Sequence, residues 1–222
     1  MRIAFVTSLA AALFGTMTMP AAAETQERQD SGTVYGTAAR FEVSRPTIAS
    51  GREVYVSQIG SGNSATVVQR APAAQARLIQ SGDDNRADVA QRGAAPSYAQ
   101  AVQSGDANMI AVDQSGMSGG QGATLYATQA GAGNVARVDQ MSLGGAANGA
   151  VVAQAGIANR LALVQAGSDN AAILSQAGND NRMTATQEGE GNRLIWTQTG
   201  NNVANLAVTQ SGGQSLQITQ SR

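Results

Sequence analysis

The chain has 222 residues, with 14 basic residues, all of them Arg, against 15 acidic ones, and it contains no His and no Cys. That composition excludes Ser-His-Asp and Cys-His catalysis, imidazole or thiolate metal sites and disulfide staples. The near-neutral balance leaves no basic footprint for nucleic acid. Aromatic residues make up only 4% of the chain, too few for a conventional core, so a repetitive or low-complexity architecture is expected.

The first segment reads as a secretory signal peptide, residues 1–23. Arg2 precedes a mostly apolar, uncharged run from Ile3 to Met19, and Pro20-Ala21-Ala22-Ala23 supplies the small residues of a cleavage site. The alternative, a short membrane anchor, has a run that is short for a bilayer. The mature chain then begins near Glu24 and works outside the cytoplasm. Residues 24–51 are polar, mixed in charge and without a sustained period, as expected of a flexible N-terminal arm; an edge strand over Thr33 to Val43 is the alternative.

Residues 52–222 form a repeat. Gln recurs at Gln58, Gln69, Gln80, Gln91, Gln103, Gln114, Gln129, Gln140, Gln154, Gln165, Gln176, Gln187, Gln198, Gln210 and Gln220, and nine of the fourteen intervals are eleven residues. Gly follows two residues after most of them, as at Gly60, Gly82, Gly105, Gly131, Gly156, Gly167, Gly178 and Gly189. Asn stands six residues before the next Gln at Asn63, Asn85, Asn108, Asn134, Asn148, Asn159, Asn170, Asn181 and Asn192. The unit is Gln-x-Gly-x-x-Asn followed by five residues and the next Gln.

Parity identifies those five residues as strand. Side chains alternate faces along a strand, so the second and fourth of the five share a face with Asn and Gln. In every window that pair is apolar, from Val54/Val56 and Ala65/Val67 through Leu161/Leu163 and Leu194/Trp196 to Leu206/Val208 and Leu216/Ile218. The charged strand residues, such as Arg77, Asp88, Asp113, Arg137 and Arg182, fall on the opposite parity. A 3.6-residue helix cannot hold that alternation. The intervening Gly-x-x-Asn must reverse the chain, with Gly supplying positive φ and Asn tolerating it.

The fold expected is all-β: a cross-β solenoid of about seven stacked strand-turn-strand rungs, roughly 22 residues each. Inward Gln and Asn without partners would be penalised by a few kcal/mol each. In register each amide can instead bond the identical amide one rung away, giving a structural ladder. Irregular arcs are expected where the Gln spacing stretches, at 114–129 and 140–154, and the 69–80 unit lacks both Gly and Asn.

This repeat after a signal peptide resembles the curlin family of bacterial extracellular amyloid-fibre proteins. The segments carrying the likeness are Gln154 to Asn159 (QAGIAN), Gln165 to Asn170 (QAGSDN), Gln176 to Asn181 (QAGNDN) and Gln187 to Asn192 (QEGEGN), with Asn-x-Ala spacing at Asn63/Ala65, Asn85/Ala87, Asn134/Ala136, Asn148/Ala150 and Asn170/Ala172. The resemblance implies a structural subunit or nucleator of curli-type fibres, secreted and placed on the bacterial cell surface for biofilm matrix and adhesion. It implies self-association, other curlin subunits and the outer-membrane curli secretion apparatus as partners, and a secretion-targeting role for the arm. No catalytic residue, cofactor or metal is expected. The rival is a monomeric secreted β-solenoid adhesin. Turn residues such as Asp83, Asp84, Asp106, Asp169 and Asp180 are of the type found in calcium rolls, but those need a nine-residue period and more ligands per turn. Outward Tyr55, Tyr98 and Tyr126 read either as adhesive contacts or as plain surface decoration.

Overall fold

The computed structural model describes Val43 and residues 51–222. The signal segment and the arm lie outside these, apart from Val43 and Gly51. Val43 places its side chain where a Cβ on Gly149 would reach.

Among the described residues fifteen strands follow one another without an intervening helix. They are β1 (Arg52–Ile59), β2 (Ser64–Gln69), β3 (Ala74–Ser81), β4 (Arg86–Gly93), β5 (Ser97–Asp106), β6 (Met109–Gly116), β7 (Ala123–Ala132) and β8 (Val135–Ser142), then β9 (Asn148–Ile157), β10 (Arg160–Ser168), β11 (Ala171–Asn179), β12 (Arg182–Glu190), β13 (Arg193–Thr199), β14 (Leu206–Ser211) and β15 (Ser215–Ser221). Odd-numbered strands form an eight-stranded sheet, here sheet A, and even-numbered strands a seven-stranded sheet, sheet B. Every pairing is parallel, and each stacks Gln on Gln, as in Gln103↔Gln129 and Gln165↔Gln187. The molecule is a parallel β-solenoid of about seven turns.

Register is held by burial. A one-residue slip would send every apolar pair to solvent and bring the charged parity inside. Leu78, Ile110, Leu125, Leu163, Leu174, Leu194 and Trp196 lie fully buried between the sheets, with Ala at the facing small positions such as Ala99, Ala136 and Ala172. Small residues on both inner faces let the two sheets approach closely, and hence the Ala-rich composition.

The rungs are less uniform than a 22-residue period. Successive ladder glutamines are 22 residues apart at Gln154 and Gln176 but 26 apart at Gln103 and Gln129. The surplus residues of the longer arcs bulge between β6 and β7 and between β8 and β9. Stacked register is kept because the extra length is spent on loop, where a longer closure costs little.

The corners correct one expectation. None of the nine ladder Asn takes positive φ; the Asn that does, Asn202, stands one place before Val203. That conformation falls on the residue before the ladder Asn: Asp84, Ala107, Ala158, Asp169 and Asp180 have φ between 54° and 57°. Where Gly62, Gly133 and Gly191 precede Asn, glycine fills the same role. Ala at such a site is strained by roughly 1 kcal/mol relative to Gly. Ala158→Gly is therefore expected to raise the urea midpoint of unfolding by an amount equivalent to about 0.5–1 kcal/mol; an unchanged or lower midpoint would contradict the corner geometry.

Candidate functional site

The solenoid has no cleft lined by reactive groups among its described residues. Its most regular features are the amide ladders and the two faces on which they end. Within the sandwich each Gln is positioned by its strand, two residues beyond an inward apolar residue, so its amide lies at the edge of the apolar slot. In sheet A, Gln58, Gln80, Gln103, Gln129, Gln154, Gln176, Gln198 and Gln220 form one chain of side-chain bonds of 2.6–2.9 Å. In sheet B, Gln69, Gln91, Gln114, Gln140, Gln165, Gln187 and Gln210 form a second, at 2.7–3.0 Å. In each step Nε2 donates toward the C-terminal neighbour's Oε1.

The second N–H of most of these amides crosses to the opposite sheet. Gln114 Nε2, for example, donates to Gln140 Oε1 at 2.9 Å and to the Tyr98 carbonyl at 2.9 Å. Each amide thus ties one rung to the next and one sheet to the other. A net bond is worth about 1 kcal/mol, and an orphaned buried amide group costs about 1–3 kcal/mol, so the row is stable only while intact.

The Asn side chains form columns at the corners. Between sheet A and sheet B, at the first corner, the column is Asn63, Asn85, Asn108, Asn134, Asn159 and Asn181. Each Oδ1 accepts the backbone N–H of the next member, as Asn108 Oδ1 does from Asn134 at 3.1 Å. Each Nδ2 donates to the carbonyl of the glycine one rung on, Asn134 to Gly156 at 2.8 Å. At the second corner, from sheet B back to sheet A, the same arrangement joins Asn148, Asn170 and Asn192. The glycines permit this closeness. A Cβ on Gly60, Gly82, Gly105, Gly131, Gly156 or Gly178 would overlap the carbonyl oxygen of the next glycine in the column. Gly167 stands in the same relation to Gly189 at the second corner, and Gly189 itself also has positive φ, with a looser neighbour.

Further residues belong to the arrangement without showing in the repeat. Gly122, inside the stretched arc, has no room for a side chain because the Pro96 carbonyl lies against it; the arc breaks phase, so no spacing signals it. The indole of buried Trp196 donates to Gln220 Oε1 at 2.9 Å.

The outer faces differ. Sheet B carries Arg86, Asp88, Asp113, Arg137 and Asp139, with ion pairs Arg86–Asp88 at 2.6 Å and Arg137–Asp139 at 3.0 Å. Sheet A carries Tyr98 and Tyr126 with ring centroids 5.4 Å apart, and Arg77 over the Tyr55 ring. Burial raises both the Tyr98 and Tyr126 pKa above the ordinary phenol value. In the first-corner turns Asp83 accepts the Ser61 backbone N–H at 2.7 Å and the Ser61 hydroxyl at 2.9 Å, and these bonds hold its pKa below the ordinary carboxylate value.

The two ends are where the inward pattern meets solvent. Val54 and Val56 on β1 are 48% and 43% exposed, and Leu206 on β14 and Leu216 on β15 are 39% and 41% exposed. Their equivalents in interior rungs are 0–4% exposed. No described residue donates to Gln58 Oε1 or Gln69 Oε1, and Gln220 Nε2 donates only to the Ala204 carbonyl at 3.2 Å. Among the described residues, one end therefore presents amide acceptors and the other an amide donor, each beside half-exposed apolar residues.

Parallel rungs and continuous amide ladders define the class: a parallel β-solenoid. Residues 156–189 match the family model of the curlin associated repeat, and this match supports assignment of the chain to the curlin family. No curated protein and no solved structure matches the chain. Repeat and fold together point to a curli-type structural protein.

Proposed function

We propose that the chain is a subunit of an extracellular functional amyloid fibre. It grows by self-association, alone or with other curlin subunits, and serves surface adhesion and the biofilm matrix. The observation that carries this reading is the exposure of inward-type residues at both ends beside unmatched ladder amides. A solenoid that worked as a monomer would have reason to blunt such edges with charge or a covering element. Stacking of one end on the other continues the backbone ladder, the amide rows and the apolar slot at once. Covering each half-exposed Val or Leu contributes on the order of 1 kcal/mol. The first association must offset the loss of translational and rotational freedom, so growth starts after a lag and seeds abolish it.

In this reading the chain leaves the cell through the signal segment and the outer-membrane curli secretion apparatus, with the polar arm as the address. In this reading no residue is asked to react. The irregular second corner of the early rungs suits a nucleating or minor subunit.

The test is assembly of purified mature chain followed by thioflavin fluorescence and electron microscopy, with and without preformed seeds. Detergent-resistant filaments after a lag that seeds shorten are expected. A chain that stays monomeric at high concentration in the presence of seeds would overturn the reading in favour of the adhesin. Leu216→Lys is expected to slow elongation about tenfold or more, because the ammonium would be buried without a partner at the new junction. The same change leaves the isolated subunit's unfolding midpoint nearly unaltered, since Leu216 is already half in water.

A further inference from the structure

The two corners run in opposite order. At the first corner the amide column begins with Asn63 and ends at Asn181, after which Val203 takes the place. At the second corner Arg52, Ala74, Ser97 and Ala123 hold the equivalent positions in the early rungs. The amides appear there only from Asn148 onward, and Gln214 continues them by donating its backbone N–H to Asn192 Oδ1. The first corner is amide-bearing toward β1, the second toward β15.

The strand count bears on the same question. Among the described residues β1 and β15 both lie in sheet A, which has eight strands against seven in sheet B. A second copy stacked without rotation would set its β1 on β15. Its β2 would then sit one strand position too far from β14, across a gap about 4.8 Å wide with unpaired backbone groups on both sides. A copy turned by half a revolution sets its β1 on β14 and its β2 on β15, and no gap is left.

We propose that successive copies are related by a half-turn about the solenoid axis, so that sheet A of one copy continues as sheet B of the next; this rests on the fibre reading above. The half-turn joins like corners. Asn63 of the incoming copy comes over Gln214, and the amide column runs on from Asn192 through Gln214 into Asn63 and Asn85. Asn63 is the one first-corner Asn whose backbone N–H has no acceptor among the described residues, whereas Asn85 donates to Asn63 Oδ1 at 3.0 Å. At the opposite corner Arg52 comes over Val203, joining two amide-free stretches. Without rotation Arg52 would lie over Gln214 and the column would stop at every junction. A consequence is that the tyrosine-bearing and the charged outer faces alternate along each side of the fibre. Neither forms a continuous stripe.

The absence of Cys makes the test clean. Fibres are grown from equal parts of a Ser57→Cys chain and a Thr209→Cys chain, and separately from Ser57→Cys and Thr219→Cys, then oxidised so that neighbouring thiols close a disulfide. The half-turn places residues 57 and 209 in register on adjacent strands, about 5 Å apart, and residues 57 and 219 on opposite outer faces, more than about 10 Å apart. Dimer yield is expected to be about tenfold higher for the first pair, since linkage at this reach needs Cα atoms within roughly 7 Å. The reverse preference, or filaments in which neither pair links, overturns the half-turn. Should a substitution block assembly, helical reconstruction of unsubstituted fibres decides: seven and a half turns predict a rise of about 36 Å per copy with a rotation near 180°, modified only by the solenoid's own twist. A rotation near zero overturns the proposal. Failure of the unsubstituted chain to form filaments at all removes the fibre reading, and the stacking operator with it.

Discussion

Gln176→Glu is expected to destabilise the solenoid by about 3–5 kcal/mol at neutral pH and much less in acid. Gln176 is buried at 1% exposure, accepts from Gln154 Nε2 and donates to Gln198 Oε1, both at 2.8 Å. A carboxylate keeps the acceptor but deletes the donor, so it confronts the Gln198 oxygen with a second oxygen in a dry interior. Burial disfavours the charged form and raises the carboxyl pKa above its ordinary value of about 4.3. With the folded pKa raised above the unfolded one, the variant's stability is full below the unfolded pKa and is lost as pH rises through the folded pKa. The protonated acid can donate to Gln198 Oε1 and restore the row. Urea unfolding followed by fluorescence of Trp196, the sole Trp, at pH 4 and pH 7 reads this directly. Midpoints that match the parent at both pH values would mean that Gln176 does not point inward. Adding Gln198→Glu sets like charges in contact and deepens the loss at neutral pH.

Gly156→Ala is the second large effect. Gly156 has φ of 115°, and a Cβ there overlaps the Gly178 carbonyl oxygen. Backbone strain and overpacking each cost about 1–3 kcal/mol, so a total near 3 kcal/mol or more is expected. Gly144 supplies the control: its φ is 117°, but nothing lies within 4 Å of a Cβ. Gly144→Ala carries the strain alone and is expected to cost roughly 1–2 kcal/mol. Equal losses at the two sites would show that the glycine column is not closely stacked.

Strand identity is legible because the two inner faces impose one rule on every rung. A period-two pattern that holds in fifteen consecutive windows leaves no second fold class, and Gln at fixed spacing sets the register. The corner is less legible. The repeat points to Asn63, Asn85 and their equivalents, yet the left-handed residue is Asp84 or Ala158, one place before an Asn. A sequence shows which residues recur at a turn, but φ is divided among neighbours by the hydrogen bonds the turn closes, and those bonds join rungs some 22 residues apart. Gly122 escapes for a related reason, since its neighbour Pro96 is brought close only by stacking.

The rung itself is written in the chain: alternation chooses strand, Gly and Asn place the corners, and identical residues at equal spacing demand parallel stacking. Which sheet a strand joins depends on the winding. Alternate repeats are chemically alike on the inside, so nothing local marks Tyr98 and Tyr126 for sheet A or Arg137 and Arg182 for sheet B. Only counting half-turns along the wound chain separates an aromatic outer face from a charged one, and only closure of that count puts the first and the last described strand in the same sheet.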